Sequence, residues 1–580
     1  MNNLDMFKPV CLLLALLIIA SLLPGQYDEK NILTQQAYQL MAQRKYAEAQ
    51  KLFEEILQQF PDDANSVLQL LNIYFQTSQL DNAEALLKSH RRILPEKQAT
   101  EQEILLLIMQ GRQNDAWKLS QSHLQRQNYS ENTYRLLAAY FERRGFYDQV
   151  LQLYKDAREQ LGKPDLFRLE TANAAMNYKL FDQALNEYLA YLEKNSSNLY
   201  FINNQCQTIL MEDPTRIGVI GEYAKNSDSI IIQELYANAL VTQEQYASAL
   251  EVYKSLPVEK LVGFANQQYK ELNDEIALSS FQYLEQTASE PVDRNEYRLR
   301  QATIHYRNGR YPQTKLLLEE VIADTIMLEP RNLHRKGINL KARKLMAENS
   351  LALSRDVGQA KKWLVQAKDF CTNSFDTQDI DLALVSLRMI QEDYSTALED
   401  LGSITEEKHR ETRDYYRFSI ELLRGNTDLA DSLMNEYIIH HPAGRYVNDA
   451  IYQMMFTYSL EGPLREDFFQ AWRQMLLQDP AAVDTLKDIF DQTEDEELLT
   501  LAIEWAILLA DHTRAAELLK HEWQDPVSAE YASLLELILT RNSSAEQRLA
   551  REFLKSNPNS IFAPKFRQSL SRLNENRPDF

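Results

Sequence analysis

The chain has 580 residues, 44% hydrophobic and 25% charged, a balance that excludes intrinsic disorder. Its 14 glycines and 17 prolines together make up less than half the usual ~12%, so turns are few and the chain is expected to be nearly all-α. The formal net charge of −22 argues against a nucleic-acid binder, which needs basic tracks on one face.

Residues 1–25 differ from everything after them. Lys8 precedes an apolar run from Val10 to Leu23, which Pro24, Gly25 and Gln26 end. The run is short for a bilayer span of about 20 residues and fits the apolar region of an export leader. Two readings stay open: a signal peptide cleaved near Ala20–Gly25, or an uncleaved membrane anchor through residues 7–23. Either exports the chain, leaving it periplasmic or anchored to the envelope membrane by its N-terminus. Cys11 begins the run rather than following it, unlike a lipoprotein cysteine.

Residues 30–63 and 64–97 write one helical hairpin twice. Leu33, Ala37 and Leu40 share one face of a first helix, and Tyr46, Ala49, Phe53 and Ile56 share one face of a second. Pro61 ends the unit, since it lacks an N–H and disfavours helix before it. The next unit places Leu71, Tyr74, Leu80, Ala83, Leu87 and Pro95 correspondingly. Ala49 to Ala83 is 34 residues, as is Pro61 to Pro95. A fixed period of this length marks a helical repeat array, in which stacking supplies the core that one hairpin cannot bury.

Small residues, aromatics and proline recurring in register resemble the tetratricopeptide repeat. The resemblance implies a right-handed α-solenoid of stacked antiparallel helix hairpins, with a concave groove lined by the first helix of each pair. Groove positions on that pattern include Asn72, Phe75, Arg135, Glu142, Asn173, Met176, Glu234 and Asn238. Asn72, Asn173 and Asn238 share one repeat position, where an amide can bond both N–H and C=O of an extended peptide. The lysine–asparagine pair with which family members clamp a C-terminal carboxylate is absent: Leu68, Leu169 and Glu234 occupy the lysine position.

The pattern divides the chain into an N-terminal array at 26–196, an irregular hinge segment at 197–229, a middle array at 230–330 and a divergent C-terminal array at 331–580. Within the first, 98–130 is a worn unit carrying Ala116, and Gly145 supplies a left-handed cap after Tyr134, Leu137 and Phe141. Residues 197–229 carry Pro214, Gly218 and Gly221. The middle array holds Tyr236, Ala249, Tyr253, Ala302 and Gly309 and ends near Pro330. A basic stretch follows, with Arg331, His334, Arg335, Lys336, Lys341, Arg343 and Lys344, read as a solvated helix start or a contact for an anionic partner or lipid head groups. Residues 481–519 read as one divergent hairpin with Trp505 and Ala515, and Ile561–Leu573 as a capping helix. Two junctions, after Pro442 and Pro558, are similar to repeats of the bacterial β-barrel-assembly lipoproteins and of the Tol–Pal coordinator.

The nine histidines make no metal or catalytic motif, and no phosphate-binding loop, G-x-S-x-G or CxxC occurs. His440 and His441 point about 100° apart and suit a helix C-terminus. Cys206 and Cys371 read as buried, free thiols. No cofactor and no catalytic residue is expected. The sequence therefore points to a non-enzymatic scaffold binding other proteins or extended peptides in the bacterial cell envelope. The alternative is an accessory or targeting subunit of an envelope-polymer-processing enzyme.

Overall fold

The computed structural model describes residues 29–328, 332–541 and 544–574. The leader expected at 1–25 lies outside them, as do Pro330 and Arg331. Every regular element among the described residues is a helix.

Helix Ala64–Gln76 shows how one element is specified. Asp63 caps it, its carboxylate accepting from Ser66 N–H at 3.0 Å. Val67, Leu70, Leu71 and Tyr74 then fall on one buried face. The helix stops at Ser78, whose φ of 56° is left-handed. Ser78 N–H reaches Phe75 O and Gln79 N–H reaches Tyr74 O, the paired bonds of a Schellman cap. The second helix, Leu80–His90, starts at once.

The same cap recurs at Arg44, Gly111, Gly145 and Lys179, each joining the two helices of one hairpin. Steps of 34, 33, 34 and 34 residues separate the five turns. The worn unit at 98–130 is thus a full hairpin, Glu96–Met109 and Gln113–Arg126, with Ala99, Ile104, Ala116 and Leu124 in its core. Only two of these five turns carry glycine, although non-glycine residues pay about 1–2 kcal/mol for left-handed backbone.

Residues 197–229 form two helices, Leu199–Glu212 and Ile217–Lys225, joined by a 3₁₀ turn at Pro214–Arg216 instead of a left-handed cap. One compact unit ends at Ile232, and a second begins at Gln233.

In the second unit the left-handed turn returns at Glu244, Leu272, Gly309, Glu392, Gly425, Gln478 and Ala510. The array here is not limited to neighbour-on-neighbour stacking. Tyr306 Oη donates to Gln478 Oε1 at 2.9 Å, 172 residues away. Tyr311 Oη donates to Leu509 O at 3.2 Å, and Arg355 pairs with Asp479 at 2.9 Å. Turns of early hairpins therefore meet turns of late ones, and the unit closes on itself along a seam. Residues 481–519 are not one hairpin: Ala481–Thr493 packs with Pro463–Leu476 across the Gln478 turn, and Glu496–Leu508 packs with His512–Leu518.

The basic stretch is only partly solvated. Arg343 is buried over the Phe370 ring at 4.2 Å, and Lys344 Nζ lies 2.5 Å from Asp379. Helix Leu333–Ser354 packs on Tyr311–Ala323 and on Val357–Ala367, which buries part of this face. Cys206 is buried and free, and burial pushes its thiol up to about 12; Cys371 is free but only half-buried. The last helix among the described residues is Ala563–Asn574, whose Phe566 stacks on Phe553 at 3.8 Å.

At the junction after Pro442, Tyr446 stacks on Tyr415 at 4.3 Å, and Glu411 accepts from Tyr437 Oη and Arg445 N–H at 3.2 and 2.6 Å. Gly444 threads between these groups. A methyl there would lie 2.8 Å from Tyr437 Oη and 2.9 Å from His441 O. Gly444→Ala is expected to destabilise the second unit by about 1–3 kcal/mol, the usual cost of overpacking. A urea midpoint matching the unsubstituted chain would contradict this.

A candidate binding face on the first helices

The first helices of the hairpins, here called A helices, carry most of the expected groove residues in the first unit. Helix Ala64–Gln76 turns Asn72 to solvent. Phe75 is 5% exposed and belongs to the core, because the apolar face of that helix is wide enough to include Ile73, Tyr74 and Phe75. Its expected place in the groove is therefore corrected.

Asn173 is exposed, but its Oδ1 accepts from Tyr188 Oη at 2.6 Å. Met176 is half-buried against the same hydroxyl. Asn238, in the second unit, repeats the arrangement with Tyr253 at 2.7 Å. Each amide carbonyl thus ties the two helices of its own hairpin, leaving the amide N–H groups and one acceptor lone pair for a ligand. A two-sided peptide contact at these residues would share its acceptor with the tyrosine. Fifteen residues after Asn72 stands Leu87, which offers no hydroxyl. Glu234 is buried, and its carboxylate receives Lys260 Nζ at 2.6 Å, so this ion pair replaces the expected groove contact.

Arg135 and Glu142 project from helix Glu131–Glu142 and are exposed. Arg135 reaches the next A helix, donating to Glu170 Oε1 at 2.6 Å, and lies 4.8 Å above the Phe167 ring. Tyr154 sits beneath this group. Burial, with the Glu170 and Glu142 carboxylates, pushes its hydroxyl up to about 12 against the opposing effect of Arg135. The structure therefore gathers Arg135, Glu142 and Glu170 into one mixed-charge face spanning two repeats, with Asn173 on the same helix as Glu170. Such a face offers hydrogen-bond donors and acceptors to a chain laid across the helices.

Sequence reasoning missed a recurring brace. Gln378 accepts from Thr405 and Glu406 N–H, Glu411 from Arg445 N–H, Glu496 from Gln524 and Asp525 N–H, and Glu530 from Ser560 Oγ. Each stands near the start of an A helix and holds the turn that closes its hairpin. The signal was a Glu or Gln about 30 residues ahead of each junction.

Two further recesses lie elsewhere. One of about 540 Å³ in the first unit is lined by Asp182, Asn186, Glu193 and Tyr223, outside the expected groove residues. One of about 890 Å³ in the second is strongly acidic, with Asp491, Glu494, Glu497 and Asp525. Burial, then Asp495 and Asp525, hold the Glu497 carboxyl above its ordinary range. Among the described residues, no group of three or more His, Cys, Asp or Glu could hold a metal ion, and no helix is long and apolar enough to cross a membrane.

Residues 40–100 match the tetratricopeptide repeat family. No curated protein matches the chain. Three solved structures are similar over much of its length. The structure of Naa15/Naa10 bound to HypK-THB is 13% identical, covering 94% of this chain and 96% of that one, at a TM-score of 0.23. Yeast Tom70 is 13% identical, covering 74% and 95%, at 0.27. The pentatricopeptide repeat protein PPR10, in complex with an 18-nt psaJ RNA element, is 14% identical, covering 96% and 86%, at 0.31.

Proposed function

From the tetratricopeptide repeats at residues 40–100, within an all-α array of stacked hairpins suited to protein–protein interaction, we propose that this chain is a non-enzymatic scaffold that binds protein segments across the A helices of its first unit. The observation that carries the reading is the face formed by exposed Arg135, Glu142 and Asn173 with half-buried Glu170, continuous over two repeats. Many weak polar contacts along such a face give affinity without a deep pocket. The partner is a protein and not a nucleic acid, because a net charge of −22 repels phosphate backbones.

The setting we propose is the bacterial envelope, in its assembly or in secretion. The apolar run Val10–Leu23 and the two proline junctions support it. Fractionating the full-length chain expressed in a Gram-negative host and sequencing its N-terminus tests this part. Recovery in the cytoplasm with Met1 intact would sink it.

A photo-crosslinking residue tests the binding face. Introduced at Asn72 or Arg135, it is expected to yield discrete protein adducts in vivo. At Lys88, exposed on the second helix of its hairpin, it is expected to yield none. Adducts that are equal at all three positions, or absent from all, would overturn the reading.

A further inference from the structure

Closure of the second unit leaves a cavity of about 320 Å³ among helices Leu333–Ser354, Ser374–Ile390 and Arg410–Leu423. Leu476 and Gln478, from the late side of the seam, complete its lining. Leu351, Leu364, Leu382 and Leu387 give it apolar walls, while Glu348, Ser386 and Tyr416 are polar points on them. Glu348 also lines a neighbouring cavity of about 440 Å³.

The charges around this cavity are already committed, with one exception. Lys344 Nζ lies 2.5 Å from Asp379. Arg445 donates to Thr412 Oγ1 at 2.8 Å and lies 4.4 Å over the Tyr446 ring. His409 Nε2 faces Phe375 O at 3.0 Å. Glu348 stands one helical turn from Lys344, whose ammonium is held by Asp379. Burial holds its carboxyl above the ordinary range; Lys344 opposes this and Asp379 adds to it. Glu348 is half-buried on the cavity wall and the lysine one turn away is held by Asp379, so covering this carboxylate without bringing a charge to it costs stability.

An apolar-walled recess with an under-neutralised carboxylate fits a cation on an aliphatic stem: the stem covers apolar surface and the head meets the charge. An acidic ligand would be repelled by Glu348, because Lys344 is held by Asp379 and Arg445 lies over the Tyr446 ring, and a purely apolar one would cover Glu348 without compensation. We propose that this cavity is a binding site for a basic side chain, lysine or arginine, of a partner protein, with Glu348 as its anchor. The acidic chain as a whole draws such partners in. The inference rests on the reading of the chain as a binder of protein segments, and adds what one of those segments must carry.

The test titrates the full-length protein with acetyl-Gly-Lys-Gly-amide and its arginine, norleucine and glutamate counterparts, followed by ligand-observed NMR. The lysine and arginine peptides are expected to bind at least tenfold more tightly than norleucine, and the glutamate peptide not at all. Glu348→Gln, which keeps shape and removes charge, is expected to abolish the preference, and Glu348→Asp to retain it more weakly. Equal binding of lysine and norleucine, no binding of either basic peptide, or an unchanged preference in Glu348→Gln would each overturn the proposal. The peptide series on the unsubstituted chain decides by itself. Crosslinking at Asn72 and Arg135 reports on the first unit separately, so failure of the cavity and failure of the scaffold reading are told apart.

Discussion

Replacing Glu187 by alanine is expected to cost the first unit about 3 kcal/mol, more than any single surface substitution in it. Glu187 lies on helix Phe181–Lys194 and joins it to two other helical segments. Its Oε1 receives Arg158 Nη1 at 2.5 Å, and its Oε2 receives Arg158 Nη2 at 2.9 Å and Arg168 Nη1 at 3.0 Å. Arg158 also donates to Leu166 O at 2.7 Å and to Thr171 Oγ1 at 3.0 Å. These bonds hold the turn containing Phe167, a bulky residue at a φ of 58°. Burial alone would lower the Arg168 pKa, but hydrogen bonds and charge from Glu187 and Asp165 outweigh it and raise the value. Removing Glu187 leaves Arg158 with no carboxylate and Arg168 with Asp165 alone, both largely withdrawn from water, and breaking a buried pair from one side costs about 3–5 kcal/mol. Both arginines keep some exposure, which favours the lower end. Glu187→Gln keeps one acceptor and is expected to cost about half as much. Urea unfolding gives both values, and hydrogen exchange should show helices Tyr147–Leu161 and Arg168–Asn177 losing protection together. A cost below about 1 kcal/mol for the alanine variant would show that the arginines find equivalent partners.

The period of this array was legible because its spacers are chemically loud. Ala49 and Ala83 sit where two helices touch, and Pro61 and Pro95 stand where a helix must stop. The left-handed turns were quieter. Gly145 announced one, but Arg44, Ser78 and Lys179 hold the same backbone with no glycine to mark it. Their caps rest on backbone hydrogen bonds, which leave no mark on side-chain identity. The candidate face was half legible. Exposure of Asn72, Arg135 and Asn173 follows from helix periodicity, but the commitment of Asn173 to Tyr188 and Asn238 to Tyr253 needed each hairpin read as a pair of helices. That fifteen-residue spacing was present in the sequence and stood for packing alone until the hydroxyl was given its acceptor. Closure of the second unit was not legible at all. Its partners lie 172 and 198 residues apart, and a contact between distant turns imposes no period on either.

Gly309→Val is expected to open that seam. Gly309 has a φ of 69°, so any side chain there meets backbone strain of about 1–2 kcal/mol. A Cβ would also stand 3.1 Å from Ala510 Cβ and 3.6 Å from Ala510 O, across the seam. Valine adds two methyl groups in that space, so the total is expected to reach about 3 kcal/mol once overpacking is included. Gly425 supplies the control, because it has a φ of 79° in the same kind of turn and no atom within 4 Å of its Cβ position. Gly425→Val therefore carries the strain alone, and the difference between the two variants isolates the seam. Hydrogen exchange should quicken at residues 476–480 and 507–511 in Gly309→Val and stay unchanged there in Gly425→Val. Equal costs and equal exchange would mean that the early and late turns touch without holding one another. Because Leu476 and Gln478 also line the cavity of Glu348, a seam that holds has a further consequence. Gly309→Val should weaken binding of the lysine peptide several-fold although it lies outside that cavity, and Gly425→Val should leave it intact.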